Sequence, residues 1–166
     1  MRIHFEPLSG KHREEVIAIY NHYIENSFAA YPDQPVPDAF FDRFLEMTCG
    51  YPAFAMQDDM KTVGFCFLRP YSPFPTFSEC AEITYFIDQE HTGQGIGATA
   101  LGKLELEAHN MGIKTLLAHI ASENPKSIDF HRRHGFRECG RFENIIHKNN
   151  KRFDIVWMQK NIQIID

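Results

Sequence analysis

The chain has 166 residues, a formal charge of −5, 15 Phe and only 23% charged residues, the size and apolar content of one domain with a substantial core. That composition excludes disorder, and the lack of any long Lys/Arg run excludes a phosphate-tracking nucleic-acid binder. No apolar stretch approaches the ~20 residues of a membrane-spanning helix, and the start from Met1 to Pro7 has no apolar signal core, so the expected compartment is the cytoplasm.

Residues 2–6 alternate like a strand, and residues 11–24 form a helical pattern with Val16, Ile17, Tyr20, Tyr23 and Ile24 on one face. Three prolines break the segment 28–37, after which Asp38 is placed to cap a short helix carrying Phe40, Phe41, Phe44 and Leu45. Ala53–Gln57 and Lys61–Leu68 read as a hairpin turning at Asp58-Asp59. A Pro-rich loop at 70–77 leads to a strand at 80–87, and a helix from about 95 stops before Gly112. Thr115–Ala121 reads as a strand and Lys126–Arg133 as a helix closed by Gly135; residues 137–146 and 152–162 close the chain as paired strands. The predicted order is β-α-α-β-β-β-α-β-α-β-β, an α/β chain whose mixed sheet is flanked by helices.

Cys49, Cys66, Cys80 and Cys139 are scattered, without Cys-x-x-Cys spacing, and read as structural free thiols. His131 and His134 lie one helical turn apart, but no third ligand accompanies them at a recognisable spacing, so no metal site is expected.

The most informative stretch runs from Tyr85 through Gly93-Gln94-Gly95-Ile96-Gly97, where a strand gives way to an amphipathic helix. Glycines allow positive φ, so successive N–H groups can turn into one concavity, and the helix adds its unpaired donors and positive dipole end. That is an anion site suited to a pyrophosphate. A Walker A loop needs Gly-Lys-Ser/Thr, whereas Gly97 is followed by Ala-Thr. A dinucleotide fingerprint needs Gly-x-Gly-x-x-Gly and an acid after the next strand, and both are missing. A tight turn without a ligand is the remaining alternative.

Thr92-Gly-Gln-Gly95-Ile-Gly97 resembles the acetyl-CoA signature of the GNAT superfamily, Arg/Gln-x-x-Gly-x-Gly/Ala. Glu123-Asn-Pro-Lys-Ser-Ile-Asp-Phe-His131-Arg-Arg-His-Gly135-Phe136 resembles its second signature, an Asn followed by a helix and a closing Gly-Phe. Ile19-Tyr-Asn-His-Tyr-Ile24 and Asp154-Ile-Val-Trp-Met-Gln159 are similar to the phosphinothricin acetyltransferase branch. The resemblance spans nearly the whole chain in the correct order. It implies one N-acetyltransferase domain over residues 1–166, with a GNAT-like fold, acetyl-CoA as acetyl donor, a small-molecule amine as acceptor, and a homodimer.

Carried over by position, the resemblance places Tyr85, Phe86 and Ile87 on the strand that pairs with pantetheine. An N–H near Ile87 would polarise the thioester carbonyl. Thr92, Gly93, Gln94, Gly95, Ile96 and Gly97 would hold the pyrophosphate, and Asn124 would bond the pantetheine arm. Glu82 matches the branch's general base, and His131 stands where many relatives carry a Tyr that protonates the departing thiolate; His134 is the alternative. Thr92 and Gln94 replace residues that are often basic, so the pyrophosphate would rely mainly on backbone donors.

For Glu82 the competing reading is a solvent-facing strand acid; for His131 it is a ring packed on the sheet. Phe28, Tyr31, Tyr71 and Phe74 are candidates to line the acceptor pocket. Between Tyr71 and Phe77 no Lys or Arg occurs, so an acceptor with at most one carboxylate is expected in preference to phosphinothricin. Two other functions compete: a protein N-terminal acetyltransferase, which needs an open groove, and a non-catalytic acyl-CoA-binding module, against which both Glu82 and His131 argue.

Overall fold

The computed structural model describes residues 2–162. Its strands are β1 (His4–Pro7), β2 (Ala53–Asp58), β3 (Lys61–Pro70), β4 (Cys80–Ile87), β5 (Thr115–Ala121), β6 (Arg137–Lys148) and β7 (Lys151–Asn161). Its helices are α1 (Arg13–Asn26), α2 (Phe41–Met47), α3 (Ile96–Asn110) and α4 (Pro125–Arg133). The strands form one mixed sheet in the order β1-β2-β3-β4-β5-β7-β6, in which only β4 and β5 run parallel. No helix among the described residues is long and apolar enough to cross a membrane.

Helices cover both faces of the sheet, so its central strands are buried twice. On β3, Phe65 and Phe67 pack against Val16, Ile17 and Phe44 from α1 and α2. Cys66 and Leu68 point the other way, into a core that includes Ile96, Leu101 and Leu104 of α3. The α3 stripe read from the sequence, Ile96, Ala100, Leu101, Leu104 and Ala108, is the buried face of that helix. Gly112 closes α3 at φ +76° while Ile113 N–H reaches back to Ala108 O (2.9 Å), and Gly135 closes α4 with Phe136 N–H on His131 O (3.0 Å).

Two local expectations change. Asp38 does not cap α2: it opens a 3-10 turn that follows Pro37 and is closed by backbone, Phe40 N–H to Pro37 O at 2.8 Å. The closing hairpin turns in only two residues, Asn149 and Asn150, both at positive φ (52° and 60°), so β6 and β7 reach further than their hydrophobic pattern suggests. Asn tolerates that conformation better than other side-chain-bearing residues.

Candidate active site

The parallel pairing of β4 with β5 lasts only from Cys80–Thr115 to Glu82–Leu117. Beyond it β5 stays with β7 as far as Ala121, while β4 continues to Ile87 beside β3. The two central strands therefore splay, and a cleft of about 1480 Å³ opens between them. That exceeds the few hundred to ~1,000 Å³ of most small-molecule pockets and leaves room for two substrates. Asp88 N–H bonds Val63 O (2.8 Å), which marks Gly64–Ile87 as a non-hydrogen-bonded pair of the β3–β4 ladder. By alternation the N–H and C=O groups of Ile87 and Tyr85 turn away from β3, toward the split. Ile87 C=O already accepts the Tyr23 hydroxyl at 2.6 Å, so the Ile87 N–H is the free donor there among the described residues.

At one end of the split stands the glycine loop. Gly93 and Gly95 take φ of +76° and +83°, and a Cβ at either would meet nothing within 4 Å. Gly97 differs: it lies in the first turn of α3, where a Cβ would stand 3.5 Å from Ile87 and the Phe130 ring. Two glycines shape the loop, while a Cβ on the third would make only ordinary van der Waals contact. Thr92 Oγ1 donates to Gln89 O (2.9 Å) and Gln94 Nε2 to Glu90 O (3.1 Å), so both polar side chains brace the loop itself. Asn124 accepts Ser127 N–H (3.2 Å) and so caps α4. Its side-chain amide hydrogens are uncommitted among the described residues. Open space over backbone donors at a helix start, together with the unpaired β4 edge, fits a long anionic thioester cosubstrate.

On the α3/α4 face of the split, the Tyr85 hydroxyl lies 2.5 Å from His131 Nε2, and His131 Nδ1 lies 2.7 Å from Ser127 O. A carbonyl only accepts, so Nδ1 carries the hydrogen, and Nε2 accepts from Tyr85 O–H. Burial holds the His131 pKa down at about 4 and pushes the Tyr85 hydroxyl upward. His131 is therefore neutral at pH 7, and the hydrogen not spent on backbone is the tyrosine's. His134 instead packs on Phe130 and bonds its carbonyl through Nδ1 (2.8 Å).

On the opposite face, Glu82 is 6% exposed and forms an ion pair with Arg69, its direct cross-strand partner. Burial raises the Glu82 carboxyl above its ordinary range, and Arg69 opposes that rise without cancelling it. Arg69 also approaches His119 Nε2 (3.3 Å), and His119 Nδ1 lies 3.0 Å from the Tyr31 hydroxyl. Sequence reasoning gave His119 no role; its signal was one imidazole inside an otherwise apolar strand.

The structure sets Tyr31 on the cleft wall, but Phe28, Tyr71 and Phe74 stand outside it. Phe28 packs on Phe153 beneath Lys151. Tyr71 leaves the sheet where β3 ends and packs on Phe77 and Trp157, and Phe74 is 66% exposed. Two cations of the closing hairpin are also spent, and a third, Arg152, is exposed outside the cleft. Lys148 Nζ donates to Ile24, Ser27 and Ala30 carbonyls at 2.7–3.0 Å, and Lys151 pairs with Glu123.

The profile of the Acetyltransferase (GNAT) family matches residues 16–136, which span both the loop and the split. The chain belongs to the GNAT family. This GNAT enzyme is an N-acetyltransferase that uses acetyl-CoA as its acetyl donor. It is 29% identical over 152 residues to the L-methionine sulfoximine/L-methionine sulfone acetyltransferase of Pseudomonas aeruginosa, covering 89% of this chain and 87% of that protein. Among solved structures, a ribosomal-protein-alanine N-acetyltransferase from Brucella melitensis superposes with TM-score 0.88 at 29% identity, over 97% of this chain and 99% of its own. A GNAT superfamily phosphinothricin acetyltransferase from Sinorhizobium meliloti, solved with AcCoA, has the same fold: TM-score 0.90 at 24% identity, over 98% of this chain and 89% of its own.

Proposed function

We propose that residues 1–166 act as one N-acetyltransferase domain that acetylates the primary amine of a small amino-acid-like acceptor by direct transfer in a ternary complex. The observation that carries this is the split itself. It opens to both faces of the sheet, with the glycine loop and Tyr85–His131 on the α3/α4 side and a buried carboxylate, Glu82, on the other. Residues 92–97 and Asn124 would hold the acetyl donor, and the Ile87 N–H would polarise the carbonyl that is attacked.

In this reading Glu82 takes a proton from the acceptor ammonium, and burial suits it to that task by raising its proton affinity. The freed amine nitrogen bonds the acetyl carbon as the carbon–sulfur bond breaks. Tyr85, whose hydrogen rests on His131 Nε2, turns its hydroxyl to the departing sulfur and gives it that proton, and solvent restores the proton through the cleft. Glu82 sheds the proton it took by the same route. Nitrogen loses two protons: the first passes through Glu82 to solvent before attack, and the second, shed through the same carboxylate from the N–H2+ formed on attack, balances the one that sulfur gains, so neither residue changes over a full cycle. His131 here orients the donor instead of giving the proton directly.

The acceptor side has one cation in place, Arg69, because Lys148 and Lys151 are committed elsewhere. That favours an acceptor with one carboxylate and a neutral side chain, such as the methionine sulfone named for the Pseudomonas relative, over phosphinothricin with its two acidic groups. CoA release measured across a panel of amines tests this. L-methionine sulfone should exceed phosphinothricin in kcat/KM by at least about tenfold, equivalent to roughly 1.4 kcal/mol. A panel in which peptide N-termini alone were acetylated would sink the small-acceptor reading.

A further inference from the structure

The ion pair at the acceptor end has the wrong shape for a base waiting alone. Burial leaves the Glu82 carboxyl a better proton acceptor than a free one, but Arg69 pulls the pKa back down and occupies part of the carboxylate. The pair also has spare capacity. Arg69 bonds Glu82 and His119, yet its side chain remains 32% exposed on the cleft wall, and a guanidinium has five N–H donors, so it can still meet a further acceptor group.

We infer that Arg69 and Tyr31 read the α-carboxylate of the acceptor, so that Arg69–Glu82 is a receptor for the zwitterion of an α-amino acid. This deepens the acceptor reading proposed above and rests on it. The acceptor's ammonium faces Glu82 while its carboxylate faces Arg69, giving four charges of alternating sign. Antiparallel register sets Arg69 and Glu82 directly opposite each other, with Cβ atoms about 5 Å apart, close enough for one compact zwitterion to span both heads. A simple amine lacks the second half of this match. Its ammonium still meets Glu82, but the donors of Arg69 and Tyr31 on the cleft wall are left without an acceptor.

The hydrogen-bond chain behind the pair sets the second donor. A guanidinium has only donors, so His119 Nε2 must accept from Arg69, and the imidazole hydrogen must sit on Nδ1. Nδ1–H then donates to the Tyr31 oxygen at 3.0 Å. The Tyr31 hydroxyl hydrogen is thereby left over, on a residue that lines the cleft beside Arg69. Burial and Arg69 keep His119 neutral by lowering its pKa to about 4, which preserves this direction of donation through the neutral range. His119 is thus a positioning residue, while Arg69 and Tyr31 touch the acceptor.

A matched pair of acceptors tests the inference: L-methionine sulfone, and its decarboxylated analogue carrying the same sulfone on a propylamine chain. Wild-type protein should favour the amino acid in kcat/KM by about 30- to 100-fold, the range of one or two charge-assisted hydrogen bonds. Arg69→Met should bring that ratio near unity, and Arg69→Lys serves if the methionine variant fails to fold. Tyr31→Phe should lower the ratio about tenfold, mainly by raising KM for the amino acid. His119→Leu, which removes the orienting hydrogen bond, should lower the ratio by a similar factor. A merely structural defect would slow both acceptors alike and leave the ratio unmoved. A wild-type ratio near one, or a ratio that survives both Arg69→Met and Tyr31→Phe, overturns the inference while the small-amine reading stands. If neither compound nor any other free amine is acetylated, the acceptor reading itself fails and this inference falls with it.

Discussion

The two ends of the split are built from different materials. In the proposed assignment the donor end is mostly backbone: positive-φ Gly93 and Gly95, the first turn of α3 and the unpaired edge of β4. The acceptor end is mostly side chain, with Tyr31, Arg69, Glu82 and His119 drawn from a loop and three strands. A backbone site holds any ligand of the right outline and charge, as suits one acetyl donor shared by a whole family. A side-chain site can change its selectivity one residue at a time, as suits an acceptor that differs between members.

The sharpest way to separate the two ends is to disable one and watch the other. Glu82→Gln keeps the side-chain shape and removes the base, so kcat should fall by roughly 10²–10⁴. Calorimetric binding of acetyl-CoA should stay within about threefold of wild type, since Glu82 lies on the acceptor face. Near wild-type turnover at neutral pH would remove Glu82 from the chemistry.

The next test compares one buried histidine from each end. His119 and His131 both have pKa values lowered to about 4, so between pH 6.5 and 4 the unfolded chain binds protons that the folded one does not. Stability should therefore be full above about pH 6.5 and drop as pH falls toward 4, by at most about 3 kcal/mol per histidine. Thermal unfolding across that range should show the loss, and His119→Asn or His131→Asn should each flatten part of it. A wild-type midpoint independent of pH over this window would mean that both rings are protonated in the folded state.

The smallest effect is expected at the glycine loop. Acetyl-CoA at a hundredfold excess over its dissociation constant should stabilise the wild-type fold by about 2.7 kcal/mol. Gly95→Val forces a branched residue toward φ +83° and sets methyl groups in the space over the loop donors. It should lose most of that ligand-induced shift. An undiminished shift in the variant would put the phosphates elsewhere in the cleft.

The glycine loop was legible from the chain because its parts are consecutive. The spacing of Gly93, Gly95 and Gly97 between a strand and an amphipathic helix announces a nest of N–H groups without knowledge of the rest of the fold. Even there the pattern treats three glycines alike, whereas only Gly93 and Gly95 take positive φ and Gly97 lies within α3. Glu82, His131 and the strand residue Tyr85 were reached through family resemblance; the pairing of Glu82 with Arg69 and of His131 with Tyr85 was not. The aromatic 70–77 loop looked like an acceptor wall because composition does not say which way a loop leaves a strand.

By itself the sequence determined the element order, the helix stripes and stops, and the loop that an anion can occupy. Each follows from periodicity or from backbone freedom within a dozen consecutive residues. Only the tertiary structure decided where β4 and β5 part, that Arg69 stands opposite Glu82, and that His119 links Arg69 to Tyr31. Those contacts join positions up to 88 residues apart. Strand register and loop direction set them, and both are fixed by packing of the whole sheet and its helices, not by any local run of residues.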